Sequence, residues 1–138
     1  MHIDFSNIFK LKKTREQIAR LQDQEKELMR PMFDDYGKIQ KVYDVFREVL
    51  SERDCPPSHQ SVYQRKKFLF IVLYLFAPGV LIGDYMPKGL RKVLSDTLDI
   101  KSETTISNNC EDIVFLFRNY KDFSSDINEL YHEMIKRL

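Results

Sequence analysis

Residues 65–83, RKKFLFIVLYLFAPGVLIG, decide what kind of protein this is. Positions 68–83 carry no charge and follow three cations, Arg65, Lys66 and Lys67. Such a run is either a membrane span or the central helix of a small domain. A span needs about 20 apolar residues, and this run is shorter. Pro78-Gly79 also interrupts it, because proline has no backbone N–H to continue a helix. A buried helix, apolar on nearly every side, is therefore expected from Ser61 to Phe76, with Ser61 as its N-cap. Gln64–Lys67 are expected to be wet before the helix enters the core. Gly79 and Gly83 permit turns in the connection that follows, Val80–Asp84. No membrane partner is expected.

Composition agrees with a helical domain. The chain has 138 residues, 43% hydrophobic and 31% charged, about one domain in length. Four glycines and five prolines leave little material for tight hairpins, which favours long helices. A net charge of +1 excludes a strongly basic nucleic-acid coat and an acidic tail, while leaving room for a local patch. Two cysteines, Cys55 and Cys110, make no disulfide scaffold and fit a reducing, cytoplasmic setting. The start, MHIDFSNIFKLKK, has no apolar stretch of the signal-peptide kind.

N-terminal to the apolar run, SERDCPPSHQ (51–60) reads as a boundary, since Pro56 and Pro57 cannot lie inside a helix. It separates a helical arm, residues 1–55, from a helical domain, residues 56–138. The arm has a three-four rhythm: Leu11, Thr14, Ile18, Leu21, Glu25, Leu28 and Met32, then, past a break at Pro31, Tyr36, Ile39, Tyr43, Phe46 and Leu50. Such a stripe needs a partner helix. The partner is either within the chain, by a fold-back at Met29–Asp34 or packing on the domain, or a second copy. In the dimer reading the seam is Leu11, Ile18, Leu21, Leu28, Ile39, Tyr43, Phe46 and Leu50.

C-terminal to the run, residues 87–120 read as a helix-turn-helix. Pro87 suits a first helical turn. The helix is expected over Lys88–Leu98, with Leu90, Val93, Leu94 and Leu98 inward and Lys88, Arg91 and Lys92 outward. Ile100 plugs the angle of a short connection, Asp99–Ser102. Ser102 caps a second helix, expected to run to Tyr120 with Ile106, Cys110, Ile113, Val114 and Phe117 inward. Two helices joined by so short a turn form the arrangement of helix-turn-helix DNA readers. Hydroxyl and amide side chains suit base edges and phosphate oxygens. Lys101, Ser102, Thr104, Thr105, Ser107 and Asn108 are thus assigned to the groove. Lys88, Arg91, Lys92 and Arg65 are assigned to phosphate.

The stretch from Arg65 to Leu138 resembles the C-terminal DNA-binding domain of the bacterial chromosomal replication initiator, of the Trp-repressor-like helix-turn-helix type. RKKFLFIVLYLF corresponds to that family's leading basic helix, and LRKVLSDTLDI to its first motif helix. KSETTIS resembles its arginine-aspartate-histidine-threonine-threonine-valine signature, and YKDFSSDINELYHEMIKRL its closing helix. Lys101 then stands for the arginine, Ser102 for the aspartate and Glu103 for the histidine. Thr104 and Thr105 stand for the threonines and Ile106 for the valine. Asp99-Ile100 replaces the family's glycine pair. The resemblance implies duplex DNA as partner; with no Gly-rich phosphate loop, it implies no nucleotide-dependent activity. An arm joined to such a domain also looks like small regulators of phage or mobile elements.

Ser124-Ser125-Asp126 reads as the cap of a closing helix with Ile127, Leu130, Tyr131, Met134, Ile135 and Leu138 on one face. Asp126 and Glu129 at its start, and Lys136 and Arg137 at its end, match the macrodipole. His2, His59 and His132 are scattered, and Cys55 with His59 lacks the second pair that zinc requires. Cys110 falls on an apolar face, and no Gly-rich oxyanion loop accompanies a serine. The reading is therefore an all-α, non-enzymatic protein without metal or cofactor: a DNA-binding regulator acting as a homodimer. The competing reading is a protein–protein adaptor working through the arm.

Overall fold

The computed structural model describes residues 5–58 and 61–138. His2 and His59 lie outside these residues, and so does the Cys55–His59 pairing. All regular secondary structure among the described residues is helical, with no strand. The chain forms two units, residues 1–30 and 31–138.

The first unit is one helix, α1 (Ser6–Met29). It ends where Arg30 turns extended ahead of Pro31, as the residue before a proline must. None of its residues is buried. Ile8, Leu11, Ile18, Leu21 and Leu28 are all exposed, Leu28 by 82%.

The second unit contains α2 (Ile39–Ser51), α3 (Val62–Phe76), α4 (Leu90–Thr97), α5 (Glu103–Cys110), α6 (Ile113–Asn119) and α7 (Lys121–Arg137). Short 3-10 turns precede α2 and follow α3. The helix α3 is central: α2, α5, α6 and α7 all pack on it. Its Phe68, Leu69, Val72, Leu73 and Leu75 are completely buried. Each such side chain contributes about 1.5–3 kcal/mol when taken out of water. Ser61 caps it by accepting a hydrogen bond from the Gln64 N–H at 3.2 Å, and Pro78 follows its end. No helix among the described residues is long and apolar enough to cross a membrane.

Six expectations are corrected. The unit boundary falls after Arg30, not at residue 55. Ile39, Tyr43, Phe46 and Leu50, assigned above to a dimer seam, are core residues of the second unit at 0%, 6%, 0% and 2% exposure. Phe46 and Tyr43 meet the Phe68 ring at 5.3 and 4.9 Å, so α3 covers the stripe. Gln64 and Lys67 are buried rather than wet. The first motif helix begins at Leu90: Gly89 has φ +87°, a left-handed conformation that glycine adopts freely, and this separates Pro87 and Lys88 from the helix. The second motif helix breaks at Glu111-Asp112. Ser107-Asn108-Asn109 is a weak helix former, and the break lets α6 stack Phe117 on Phe70 at 4.4 Å. The closing helix starts at Lys121, because Phe123 must share the inner face with Ile127, Leu130 and Met134, all buried.

Candidate nucleic-acid interface

The helix α4 is held from within by Leu90 and Leu94, both completely buried. That leaves Arg91 and Lys92 exposed on its outer side, with Lys88 exposed just before it. The helix closes with the Leu98 N–H donating to the Leu94 carbonyl at 3.0 Å and the Ile100 N–H donating to the Ser95 carbonyl at 2.8 Å. Asp99 supplies the left-handed residue of this cap at φ +54°. Helix ends use that conformation to satisfy their last carbonyls, normally with glycine. Ile100, half-buried, packs against the core as expected.

The chain then presents Lys101 and Ser102 to solvent and enters α5. The Ser102 hydroxyl accepts a hydrogen bond from the Thr104 N–H at 3.2 Å, so Ser102 is the N-cap. Ile106, completely buried, anchors α5, and α5 packs on α4. Thr104 and Asn108 are exposed, whereas Thr105 and Ser107 are half-buried. Five of the assigned groups, Lys101, Ser102, Thr104, Thr105 and Ser107, thus sit together at the start of α5. Lys92 and Lys101 share one cleft at the elbow with Ser95, Asp96, Asp99, Ile100 and Glu103. That elbow mixes two cations with three carboxylates.

Arg65 is placed differently from its assignment to phosphate. It is half-buried, and its guanidinium donates to Asn109 Oδ1 at 3.3 Å, tying α3 to α5. Lys66 pairs with Asp112 at 2.8 Å. Lys67, 5% exposed, pairs with Asp126 and lies over the Tyr63 ring at 4.3 Å. The basic run before the apolar stretch is therefore engaged within the fold. Lys88, Arg91, Lys92 and Lys101 take part in no ion pair among the described residues.

Sequence reasoning missed the bridge in which Arg53 and Lys67 both donate to Asp126. Burial pushes the Asp126 carboxyl up, but the hydrogen bonds from Arg53 and Lys67 outweigh it and hold the carboxyl below its ordinary range. It also missed Arg137 of α7, which grips Glu52 through two parallel hydrogen bonds at 2.9 and 2.6 Å and reaches Glu48 at 2.8 Å. These partners lie far apart in the chain and follow no spacing rule.

Burial raises the Cys110 thiol to about 11, with the Arg91 charge opposing it, so the reactive thiolate is scarce at neutral pH. Among the described residues no three His, Cys, Asp or Glu side chains are grouped to hold a metal. A cleft of about 300 Å³ between α3, α6 and α7 is lined by aromatic rings, with Asn128 and no charged group. No protein-family model, curated protein or solved structure matches the chain.

Proposed function

We propose that residues 31–138 bind duplex DNA through α4 and α5, with the start of α5 in the major groove, in a regulatory role without catalysis. The observation that carries the reading is the contrast among cations of one unit. Arg53, Lys66, Lys67 and Arg137 are held in ion pairs, while Lys88, Arg91, Lys92 and Lys101 are exposed, outside any ion pair among the described residues and grouped about α4 and α5; Lys38, Lys41, Arg47, Arg118 and Lys121 are also outside ion pairs but belong to other elements. Free cations of this kind bind phosphate and release its counterions. The capped start of α5 adds backbone N–H groups and the positive end of the helix dipole. Ser102, Thr104 and Asn108 supply the groups that read base edges. Asp96, Asp99 and Glu103 reduce the general attraction to phosphate, which makes affinity modest and places weight on base contacts. Glu103 can accept from a cytosine amino group.

The test is fluorescence anisotropy with a duplex through a salt titration. Four neutralised phosphates give a slope of about −3.6 in log K against log salt. Replacing Arg91 and Lys101 with Ala should weaken binding and make that slope shallower by about 1.8. Unchanged affinity and slope would remove the helix-turn-helix reading. A second reading, self-association through α1, is favoured by that helix having no buried residue.

A further inference from the structure

We propose that α1 pairs with α1 of a second copy in antiparallel orientation, the two helices crossing between Ala19 and Arg20. The inference rests on α1 being an association surface and is independent of the DNA reading.

Three observations carry it. The first is exposure: Leu11, Ile18, Leu21 and Leu28 are 56%, 48%, 63% and 82% exposed along one helix of 24 residues. An isolated helix of about 36 Å with such a stripe is marginal in water without a partner. The second is symmetry. Leu11 and Leu28, Thr14 and Glu25, and Ile18 and Leu21 lie at equal distances either side of the midpoint between Ala19 and Arg20. An antiparallel partner brings each position onto its mirror position. The layers are then Leu11 with the second copy's Leu28, Ile18 with its Leu21, and Thr14 with its Glu25, each occurring twice. A parallel, in-register partner instead sets every residue against itself. It would stack Glu25 on Glu25 inside an apolar seam and place Lys10 beside the other chain's Arg15, both repulsive.

The third observation is charge. Residues 6–20 carry Lys10, Lys12, Lys13, Arg15 and Arg20 against Glu16 alone, while residues 21–29 carry Asp23, Glu25 and Glu27 against Lys26. The first turn of α1 has no acidic residue. Cations at the N-terminal end and carboxylates at the C-terminal end oppose the helix macrodipole. An antiparallel partner relieves both, laying its acidic end along the basic end of the first helix. Glu25 then sits beside the second copy's Thr14, in the stretch that carries Lys10, Lys12, Lys13 and Arg15.

The test uses the full chain with Cys55→Ser, which removes the exposed thiol. Sedimentation between about 1 and 100 µM should show a monomer–dimer equilibrium. Leu21→Asp should raise the dissociation constant at least about 100-fold, since it places a charge in the seam. A thermal melt unchanged in midpoint checks that residues 31–138 stay folded. Orientation is read from two further chains in that background, Thr14→Cys and Glu25→Cys, in which half-buried Cys110 is the one other cysteine; they carry tags of different size and are mixed and oxidised. The expected product is the mixed Thr14→Cys–Glu25→Cys disulfide in excess of either self-disulfide. A chain that stays monomeric, or a dimer insensitive to Leu21→Asp, overturns both the association surface and the inference. A dimer that yields mainly self-disulfides leaves the association surface standing and overturns the antiparallel arrangement.

Discussion

The helices α1 and α2 share one three-four rhythm and have opposite fates. In α2, Ile39, Val42, Tyr43, Val45, Phe46, Val49 and Leu50 are all buried; in α1 no residue is. The difference lies in the width of the stripe. The apolar face of α2 extends over adjacent rows and packs against α3, α4 and α7. From Leu11 on, that of α1 narrows to a line, Leu11, Ile18, Leu21 and Leu28, interrupted by Thr14 and Glu25, with Ile8 and Phe9 exposed off it in the first turn. A wide stripe belongs to a helix in a globular core and a narrow one to a helix-pairing seam. Periodicity shows that a face exists; its width shows what kind of partner it takes.

The largest expected effect tests that contrast directly. Phe46→Ala should cost about 3–5 kcal/mol in urea denaturation of the second unit, because the ring is completely buried against Phe68. Leu21→Ala, measured at a concentration too low for association, should change the same transition by less than about 0.5 kcal/mol. Equal costs for the two would erase the distinction between core helix and exposed arm.

Next in size is the Asp126 bridge, which ties α7 to α3 and to Arg53 beyond α2. Asp126→Asn leaves the buried Lys67 ammonium without its counter-charge and should cost about 3 kcal/mol. The pH sign follows from its lowered carboxyl. Below its ordinary value of 3.8 the unfolded chain binds the proton first, so the bridge stabilises the fold fully above that pH. The contribution is lost as pH falls through the lower folded value. Melts taken across the acid range should therefore fall more steeply for the natural chain than for Asp126→Asn. Parallel curves would mean that the bridge contributes nothing.

The smallest effects sharpen the comparison inside the second unit, at the turn between α4 and α5. Ser102→Ala removes the cap on Thr104 and should cost about 1 kcal/mol. Asp99→Gly relieves a left-handed residue and should stabilise by about 0.5–1 kcal/mol in the same denaturation assay. A destabilising Asp99→Gly would show that the carboxylate makes a contact worth more than the strain.

Much of this was readable in advance, and the failures share a cause. Ser61 and Ser102 were legible as caps because a cap depends only on its neighbours within one turn. The central helix is legible because most of the sixteen positions without charge, 68–83, go inside, although Tyr74 and Ile82 stay exposed. The prolines at 56 and 57 suggest a boundary between units, yet they mark only a loop within one unit. Proline forbids helix locally and says nothing of which helices pack on either side. The start of α7 at Lys121 is not legible for a similar reason. Ser124-Ser125-Asp126 has cap chemistry, but burying Phe123 carries the helix back to Lys121.

At the candidate interface, exposure of Arg91 and Lys92 follows from the inward pattern of Leu90 and Leu94. The engagement of Arg65 with Asn109 does not, since 44 residues separate them. By itself the sequence determined the all-helical class, the central place of α3, and the two serine caps. These depend on backbone chemistry and hydrophobic pattern within a few turns. Only the tertiary structure decided that α2 belongs to the core and α1 does not, and which cations are spent on internal carboxylates. Partners of buried faces and buried charges are chosen by proximity in space, which no local spacing encodes.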